Sequence, residues 1–105
     1  EVIRQIGRLL NNIENPHTTA YRYGGEEFVL IVKDNEGKTT YQIAQQFMRD
    51  LRALKINYQE EVLEITASLG IAYQQENEPL NHTFRRADQA LYTAKSNGKD
   101  QIVID

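Results

Sequence analysis

Two adjacent carboxylates follow two adjacent glycines in the first third of the chain. Glu26 and Glu27 come directly after Gly24 and Gly25. Strands disfavour glutamate, and neighbouring carboxylates repel each other, so structure alone gives little reason for this pair. Carboxylates beside bare glycine backbone suit a hard divalent cation and leave room for phosphate groups to approach. The motif therefore predicts a site for metal-assisted phosphate chemistry.

The residues around the acidic pair predict a β-hairpin. Residues 27–32 alternate with apolar side chains on both faces, which is typical of a central strand covered on both sides. Residues 18–23 are the expected partner strand. Gly24-Gly25 is the expected two-residue turn, because glycine reaches positive φ without steric cost. Strand alternation leaves only one carboxylate facing a pocket comfortably, and we expect it to be Glu26, with Glu27 second.

The segment RYGGEEF, residues 22–28, resembles the signature of the GGDEF family in its GGEEF form. Two further blocks agree in order: SLGIA at 68–72 resembles the family's fourth-strand pattern, and RADQALYTAKSNGK at 86–99 resembles its last helix. The family comprises the diguanylate cyclases, nucleotidyltransferases that condense two GTP into cyclic di-GMP and release pyrophosphate in bacterial second-messenger signalling. The resemblance implies one partial GGDEF domain over residues 1–105.

Composition bounds the alternatives. A chain of 105 residues allows one domain, and its 12 basic and 15 acidic residues argue against a surface that coats nucleic acid. The absence of cysteine excludes disulfides and thiolate metal sites. No apolar run reaches transmembrane length and no signal peptide is visible. Arg86 and Asp88, on the exposed side of the last predicted helix, are expected to form a solvated pair.

Apolar periodicity predicts an α+β order of helix, strand, strand, helix, strand, helix, strand. The helices are expected at 2–13, 41–54 and 81–96. Besides the hairpin, this order counts strands at 62–73, as one long strand, and at 102–104. Residues 56–58 are a candidate for a further short strand. Gly70 inside the long strand indicates a bulge or a close backbone contact. The resemblance implies a ferredoxin-like, nucleotide-cyclase palm-like, antiparallel-rich sheet that lacks the family's first strand.

Family resemblance implies roles for the residues of the motif. Glu26 is the expected metal ligand, for Mg²⁺ or Mn²⁺, and the base for the attacking 3′-hydroxyl. Glu27 is the neighbouring acid that binds metal or tunes the site. Gly24 and Gly25 let the nucleotide lie against bare backbone, although plain turn chemistry explains them equally well.

Two lysines near the end of the last helix match the family's phosphate-binding residues. Lys95 and Lys99 take these places, and Lys99 stands where the family often has arginine. Cations at a helix C-terminus also stabilise the helix by ~0.3–1 kcal/mol without any ligand. Asn15 and Thr18 stand where many members carry the Arg-x-x-Asp of a product-inhibition site, so none is expected here.

The resemblance implies GTP, a second copy of the domain and an upstream sensory or regulatory domain as partners, with no nucleic acid. The expected location is the cytoplasm, and membrane anchoring of the parent protein is left open. Residues 1–105 alone are expected to be inactive, because the family's first metal ligand and its guanine contacts are not among them. A non-catalytic GGDEF-like module that binds GTP or a partner is the alternative. An unrelated ferredoxin-like domain that binds a metabolite is a third interpretation, and it leaves the acidic turn and the lysines unexplained.

Overall fold

The computed structural model describes residues 2–13, 17–24, 26–33 and 37–105, and it confirms an α+β fold. The three helices are α1 (Val2–Ile13), α2 (Gly37–Ala53) and α3 (Leu80–Ser96). The strands are β1 (Thr18–Gly24), β2 (Glu27–Val32), β3 (Lys55–Tyr58), β4 (Glu61–Glu64), β5 (Ser68–Tyr73) and β6 (Ile102–Ile104).

Four strands form the main sheet in the order β1-β2-β5-β6. β1 and β2 pair antiparallel, whereas β2–β5 and β5–β6 pair parallel. This described sheet is mixed rather than antiparallel-rich, because a tight hairpin makes neighbours antiparallel while the crossings through α2 and α3 return the chain in the same direction. β3 and β4 form a separate antiparallel hairpin.

β2 and β5 lie directly side by side. Their register runs without a shift from Glu27–Ser68 to Val32–Tyr73. In a βαββαβ sheet the first strand lies between the strands that correspond to these two. Here the two strands close on each other, so neither leaves an open edge at that place.

Helices cover both faces of the sheet, as the two-sided apolar pattern of β2 predicts. Phe28, Leu30 and Val32 point into the larger core under α1 and α2, where Phe28 meets Phe47 edge to face with ring centroids 5.2 Å apart. Val29 and Ile31 point to the opposite face and pack under α3. The five residues from 28 to 32 are all fully or almost fully buried.

The long strand predicted at 62–73 is two strands that belong to different sheets. β4 ends at Glu64, residues 65–67 have no strand partner, and β5 begins at Ser68. Ile65 and Ala67 are buried, so the apolar alternation continues through the break and does not reveal it. Gly70 makes the close backbone contact: a Cβ there would overlap the carbonyl oxygen of Ala87 and the backbone nitrogen of Leu91.

Arg86 and Asp88 do not form the solvated pair predicted from sequence. Arg86 makes ion pairs with Glu78 at 2.7 Å and with Asp105 at 3.1 Å. Asp88 lies instead beside Tyr23, whose pKa is raised to about 12 by burial and, after that, by the charge of the Asp88 carboxylate and a hydrogen bond to it. Neighbouring positions on one helix turn point in different directions, and tertiary contacts decide their partners.

Candidate active site

A cleft of ≈ 280 Å³ opens where the β1–β2 hairpin meets the end of α3. The cleft joins two carboxylates, two ammonium groups and two hydroxyl residues. Its lining residues are Glu26, Glu27, Thr66, Ala67, Ser68, Lys95 and Lys99. The structure therefore brings together the four charged residues that the sequence motifs single out.

Gly24 is a strand residue and not the turn residue that the sequence predicts. Gly24 pairs with Glu27, and the register is irregular between Arg22 and Gly24. Gly24 therefore ends β1 and Glu26 lies in the turn, whereas Gly25 lies outside the described residues. Gly24 does not adopt the left-handed backbone region, and a Cβ on it would make only an ordinary 3.8 Å contact with Glu27 Oε2.

Both glutamates line the cleft. Glu26 belongs to the turn and is exposed, so strand alternation does not fix its side chain. Glu27 begins β2 and lines the same cleft. The expectation that only one of the two faces the pocket was wrong, because the alternation rule applies to Glu27 alone.

Lys95 forms an ion pair with Glu27. Its Nζ lies 2.8 Å from Glu27 Oε1, and the two side chains are 39% and 36% exposed. α3 packs on β5 and returns its last turn to the edge where β2 and β5 begin, which places Lys95 opposite Glu27. A pair this exposed adds only about 0–1 kcal/mol to stability, so its main effect is to place two opposite charges in the cleft.

Lys99 reaches the cleft from the loop that follows α3. The helix ends at Ser96 with Asn97 as its C-cap, as the Asn97-Gly98 pair predicts. The N–H of Lys99 donates to the carbonyl of Ala94 at 2.9 Å. Lys99 itself is exposed and lines the cleft.

Sequence reasoning missed the wall of the cleft formed by Thr66, Ala67 and Ser68. Ser68 is only 3% exposed, and its backbone N–H donates to the carbonyl of Glu26 at 2.8 Å. This bond ties the acidic turn to the start of β5. Two hydroxyl residues spaced two apart before Gly70, in an otherwise apolar stretch, are the signal that could have revealed this wall.

The positions of the absent product-inhibition motif lie elsewhere. Asn15 lies outside the described residues. Thr18 is 5% exposed and pairs with Val32, at the end of the hairpin away from the cleft. That this domain lacks a product-inhibition site stays a prediction.

The acidic pair fits a magnesium-type ion by its chemistry. Within the described ranges, no three Asp, Glu or His side chains converge into a preformed metal cluster. Mg²⁺ is commonly held by one or two carboxylates together with substrate phosphates and water rather than by a complete protein cage. Glu26 and Glu27, which share a cleft with two cations suited to phosphates, offer that donor set.

Residues 1–101 match the family described as "Diguanylate cyclase, GGDEF domain". The chain belongs to the GGDEF family. This result confirms the resemblance carried by residues 22–28, 68–72 and 86–99. None of the described helices of this GGDEF chain is long and apolar enough to cross a membrane.

Several curated relatives of this GGDEF chain are diguanylate cyclases. It is 34% identical over 106 residues to diguanylate cyclase VdcA of Vibrio cholerae, covering 98% of this chain and 31% of the relative. It is 26% identical over 104 residues to diguanylate cyclase A of Treponema denticola, covering 98% of this chain and 28% of the relative. The chain thus spans about a third or less of the length of these relatives.

Solved structures agree on the fold. Diguanylate cyclase SiaD of Pseudomonas aeruginosa, solved with its activator SiaC, matches with a TM-score of 0.77 at 26% identity, over 99% of this chain and 40% of that chain. The active GGEEF domain of a diguanylate cyclase from Vibrio cholerae matches with a TM-score of 0.66 at 29% identity, over 98% of this chain and 65% of that chain.

Proposed function

We propose that this GGDEF chain carries the acidic and phosphate-binding part of a cytoplasmic diguanylate cyclase, which condenses two GTP into cyclic di-GMP and releases pyrophosphate. The observation that carries the proposal is the cleft that holds Glu26 and Glu27 beside Lys95 and Lys99. Carboxylates for a divalent ion next to cations for phosphates are what phosphoryl-transfer sites require. The family and the named activity of the relatives support the same reaction.

Glu26 is the proposed metal ligand and general base. It is exposed on the turn, so an ion and a nucleotide can reach its carboxylate. A bound Mg²⁺ or Mn²⁺ supplies positive charge that stabilises the phosphate oxygens and makes the 3′-hydroxyl more acidic. Glu26 accepts the proton of that hydroxyl, and Glu27 contributes the second carboxylate. The backbone bond from Ser68 holds the carbonyl of Glu26 at the base of the cleft.

Lys95 and Lys99 are the proposed partners of the phosphates. Each offers a point charge with three donors, without the bidentate fork of arginine. Lys95 must exchange the carboxylate of Glu27 for a phosphate oxygen when nucleotide binds, because the two side chains are paired at 2.8 Å. Lys99 adds a second charge from the loop after α3.

The reaction needs two copies of the site. Each 3′-hydroxyl attacks the α-phosphate of the other nucleotide, and a cleft of ≈ 280 Å³ is small even for one ligand, since pockets for single drug-sized ligands measure about 300–1,000 Å³. Two domains must therefore face each other with one GTP in each. An upstream regulatory domain would control this encounter.

The test is GTP turnover by the full-length protein with Mg²⁺, followed by chromatography of the products. Glu26→Gln should lower turnover at least roughly a hundredfold, because it removes a metal-ligand charge worth several kcal/mol in the transition state. Its circular dichroism should stay unchanged, since the side chain is exposed. Glu76→Gln is the matched control, because Glu76 is an exposed glutamate of a different loop.

Lys95→Ala and Lys99→Ala should each weaken GTP binding while the helix loses little stability. Near-normal turnover by Glu26→Gln would contradict the role of Glu26. Wild-type affinity in both lysine variants would show that the lysines are only helix-end charges. GTP binding without any turnover by the wild-type protein would favour the non-catalytic module.

A further inference from the structure

Three consecutive residues after α3 have left-handed backbone conformations. Gly98 has φ 115°, Lys99 has φ 64° and Asp100 has φ 49°. Positive φ suits glycine and is tolerated by aspartate, whose short side chain bonds locally, but it is unfavourable for lysine. Such a run persists only where surrounding contacts determine it. The middle residue of the run is one of the two cations of the candidate active site.

Two side chains hold this loop in place. Gln101 Nε2 donates to the carbonyl oxygens of Asn97 at 3.1 Å and of Lys99 at 3.2 Å, which closes the loop on itself. Arg52 Nη2 donates to Asp100 Oδ1 at 2.8 Å. Arg52 is the basic residue in the last turn of α2. Because α2 and α3 cover opposite faces of the sheet, the Arg52–Asp100 pair ties the loop to the other helix layer.

We propose that Arg52 and Asp100 are positioning residues for Lys99, and that their ion pair sets where the Lys99 ammonium stands in the cleft. This inference rests on the proposed function, in which Lys99 binds a phosphate of GTP. Asp100 adjoins Lys99 in a run of unfavourable dihedrals, so releasing Asp100 frees the backbone that carries the cation. A displacement of about 1 Å is enough to weaken a contact that depends on position.

Because the Arg52–Asp100 pair is exposed, its effect on the position of Lys99 can be measured apart from its effect on folding stability. The side chains of Arg52 and Asp100 are 42% and 40% exposed, and an ion pair so exposed contributes little to folding. Breaking it should therefore leave the melting temperature almost unchanged while the phosphate contact of Lys99 weakens. A structural role alone would show the opposite pattern.

A groove of ≈ 300 Å³ beside the pair supplies a matched control. Arg49 and Arg52 both line it, together with Asp100 and Gln101. Arg49 donates to the side chain of Gln46 on its own helix at 2.7 Å. Arg49→Ala therefore removes a positive charge from the same groove without releasing the loop.

The experiment is a titration of GTP with Mg²⁺ into the full-length protein, by calorimetry, at constant ionic strength. Arg52→Ala and Asp100→Asn should each weaken GTP binding about three- to tenfold. Asparagine tolerates the left-handed conformation as aspartate does, so Asp100→Asn removes the charge and keeps the backbone. Arg52→Lys should retain most of the affinity, and Arg49→Ala should bind like the wild type.

The decisive comparison uses the Lys99→Ala background. There, adding Arg52→Ala should cause no further loss, because the cation that the pair positions is gone. An equal loss in both backgrounds would overturn the inference, as would wild-type affinity in Arg52→Ala and Asp100→Asn while Lys99→Ala is weakened. Wild-type affinity in Lys99→Ala itself would instead overturn the proposed phosphate role of Lys99.

Discussion

Glu27 and Lys95 neutralise each other inside the candidate active site, so any phosphate that binds Lys95 competes with a carboxylate. The pair is direct, at 2.8 Å, and about a third of each side chain is exposed to solvent. A divalent ion that takes up Glu27 would release Lys95 for the nucleotide. The same two residues therefore couple the binding of metal to the binding of phosphate.

Glu27→Gln tests this competition. Without divalent metal, the variant should bind GTP about two- to fivefold more tightly than the wild type, because an exposed ion pair of about 0.4–1 kcal/mol no longer holds Lys95. Lys95→Ala should bind more weakly. Fluorescence titration in the presence of a chelator measures both affinities, with Glu76→Gln as the control. Weaker metal-free binding by Glu27→Gln would show that Glu27 does not compete.

At the scale of elements, the loop before α3 is held by a network around Glu78. Its carboxylate accepts hydrogen bonds from the Arg86 guanidinium at 2.7 and 3.0 Å, from the Thr83 hydroxyl at 2.8 Å and from the Gln75 N–H at 3.0 Å. Arg86 also donates to the carbonyl of Tyr73. The network fixes the start of α3 against the end of β5, at the opposite end of the strands from the cleft.

This network makes stability depend on pH. Hydrogen bonds from Arg86, then from the Gln75 N–H, lower the pKa of Glu78 from 4.5 to about 2. A carboxyl group whose pKa is lower in the folded protein than in the unfolded chain stabilises the fold at pH values above its unfolded pKa. This stabilisation is lost as the pH falls towards the pKa of the folded state. The wild type should thus be more stable than Glu78→Gln near neutral pH, and the difference should shrink between about pH 4.5 and about pH 2.

Urea denaturation at several pH values measures that difference, with Glu76→Gln as the control that should show none. A difference that stays constant down to about pH 2 would mean that Glu78 contributes through its shape and not through its charge.

At Gly70, the backbones of β5 and α3 pack too closely to leave room for a side chain. A Cβ there would overlap the carbonyl oxygen of Ala87 and lie 2.9 Å from the Cα of Leu91. We expect Gly70→Ala to destabilise the protein by about 1–3 kcal/mol or more, because backbone atoms must move apart. Gly7 in α1 has nothing within 4 Å of its added Cβ, so Gly7→Ala should stabilise it by about 0.5–1 kcal/mol.

Urea midpoints of the two glycine variants give a direct check, because the expected signs are opposite. Equal midpoints for Gly70→Ala and the wild type would show that α3 shifts away from the sheet at little cost.

Most elements could be predicted because the spacing of apolar residues reports which side chains are buried. Burial can continue across the end of an element, however, so the spacing does not always show where an element ends. The first helix, the strand β2 and the last helix were predicted from this spacing. Periodicity does not report which strand a backbone bonds to, so β4 and β5 were merged. The wall formed by Thr66 and Ser68 was missed for the same reason, since it depends on the pairing of Glu27 with Ser68.

On the scale of the whole molecule, direct pairing of β2 and β5 completes the sheet of residues 1–105 without a central strand. A βαββαβ sheet without its first strand is expected to fold only if a further segment, a swapped partner or closure of the two neighbouring strands fills its middle. The third case holds here, with the two strands in register along their whole length. This pairing gives hydrogen-bond partners to backbone N–H and C=O groups, each of which would cost about 1–3 kcal/mol if it were buried unpaired.

The last prediction concerns this closure. Ile31 and Ala72 are register partners on β2 and β5, and the chain has no cysteine of its own. In residues 1–105 alone, Ile31→Cys with Ala72→Cys should form a disulfide in a folded monomer that does not turn over GTP. A further strand inserted between β2 and β5 would separate the two Cα atoms by about 9–10 Å, beyond the ~7 Å that a disulfide spans.

An active full-length protein with such a central strand should therefore resist this cross-link, whereas Ala20→Cys with Leu30→Cys, partners in the β1–β2 hairpin, should cross-link in both proteins. Mass spectrometry after mild oxidation and a GTP turnover assay on each sample provide the measurement. If the oxidised full-length protein carries the engineered disulfide between β2 and β5 and still makes cyclic di-GMP, direct pairing belongs to the active state. If residues 1–105 alone turn over GTP, the missing contacts are not needed for the reaction.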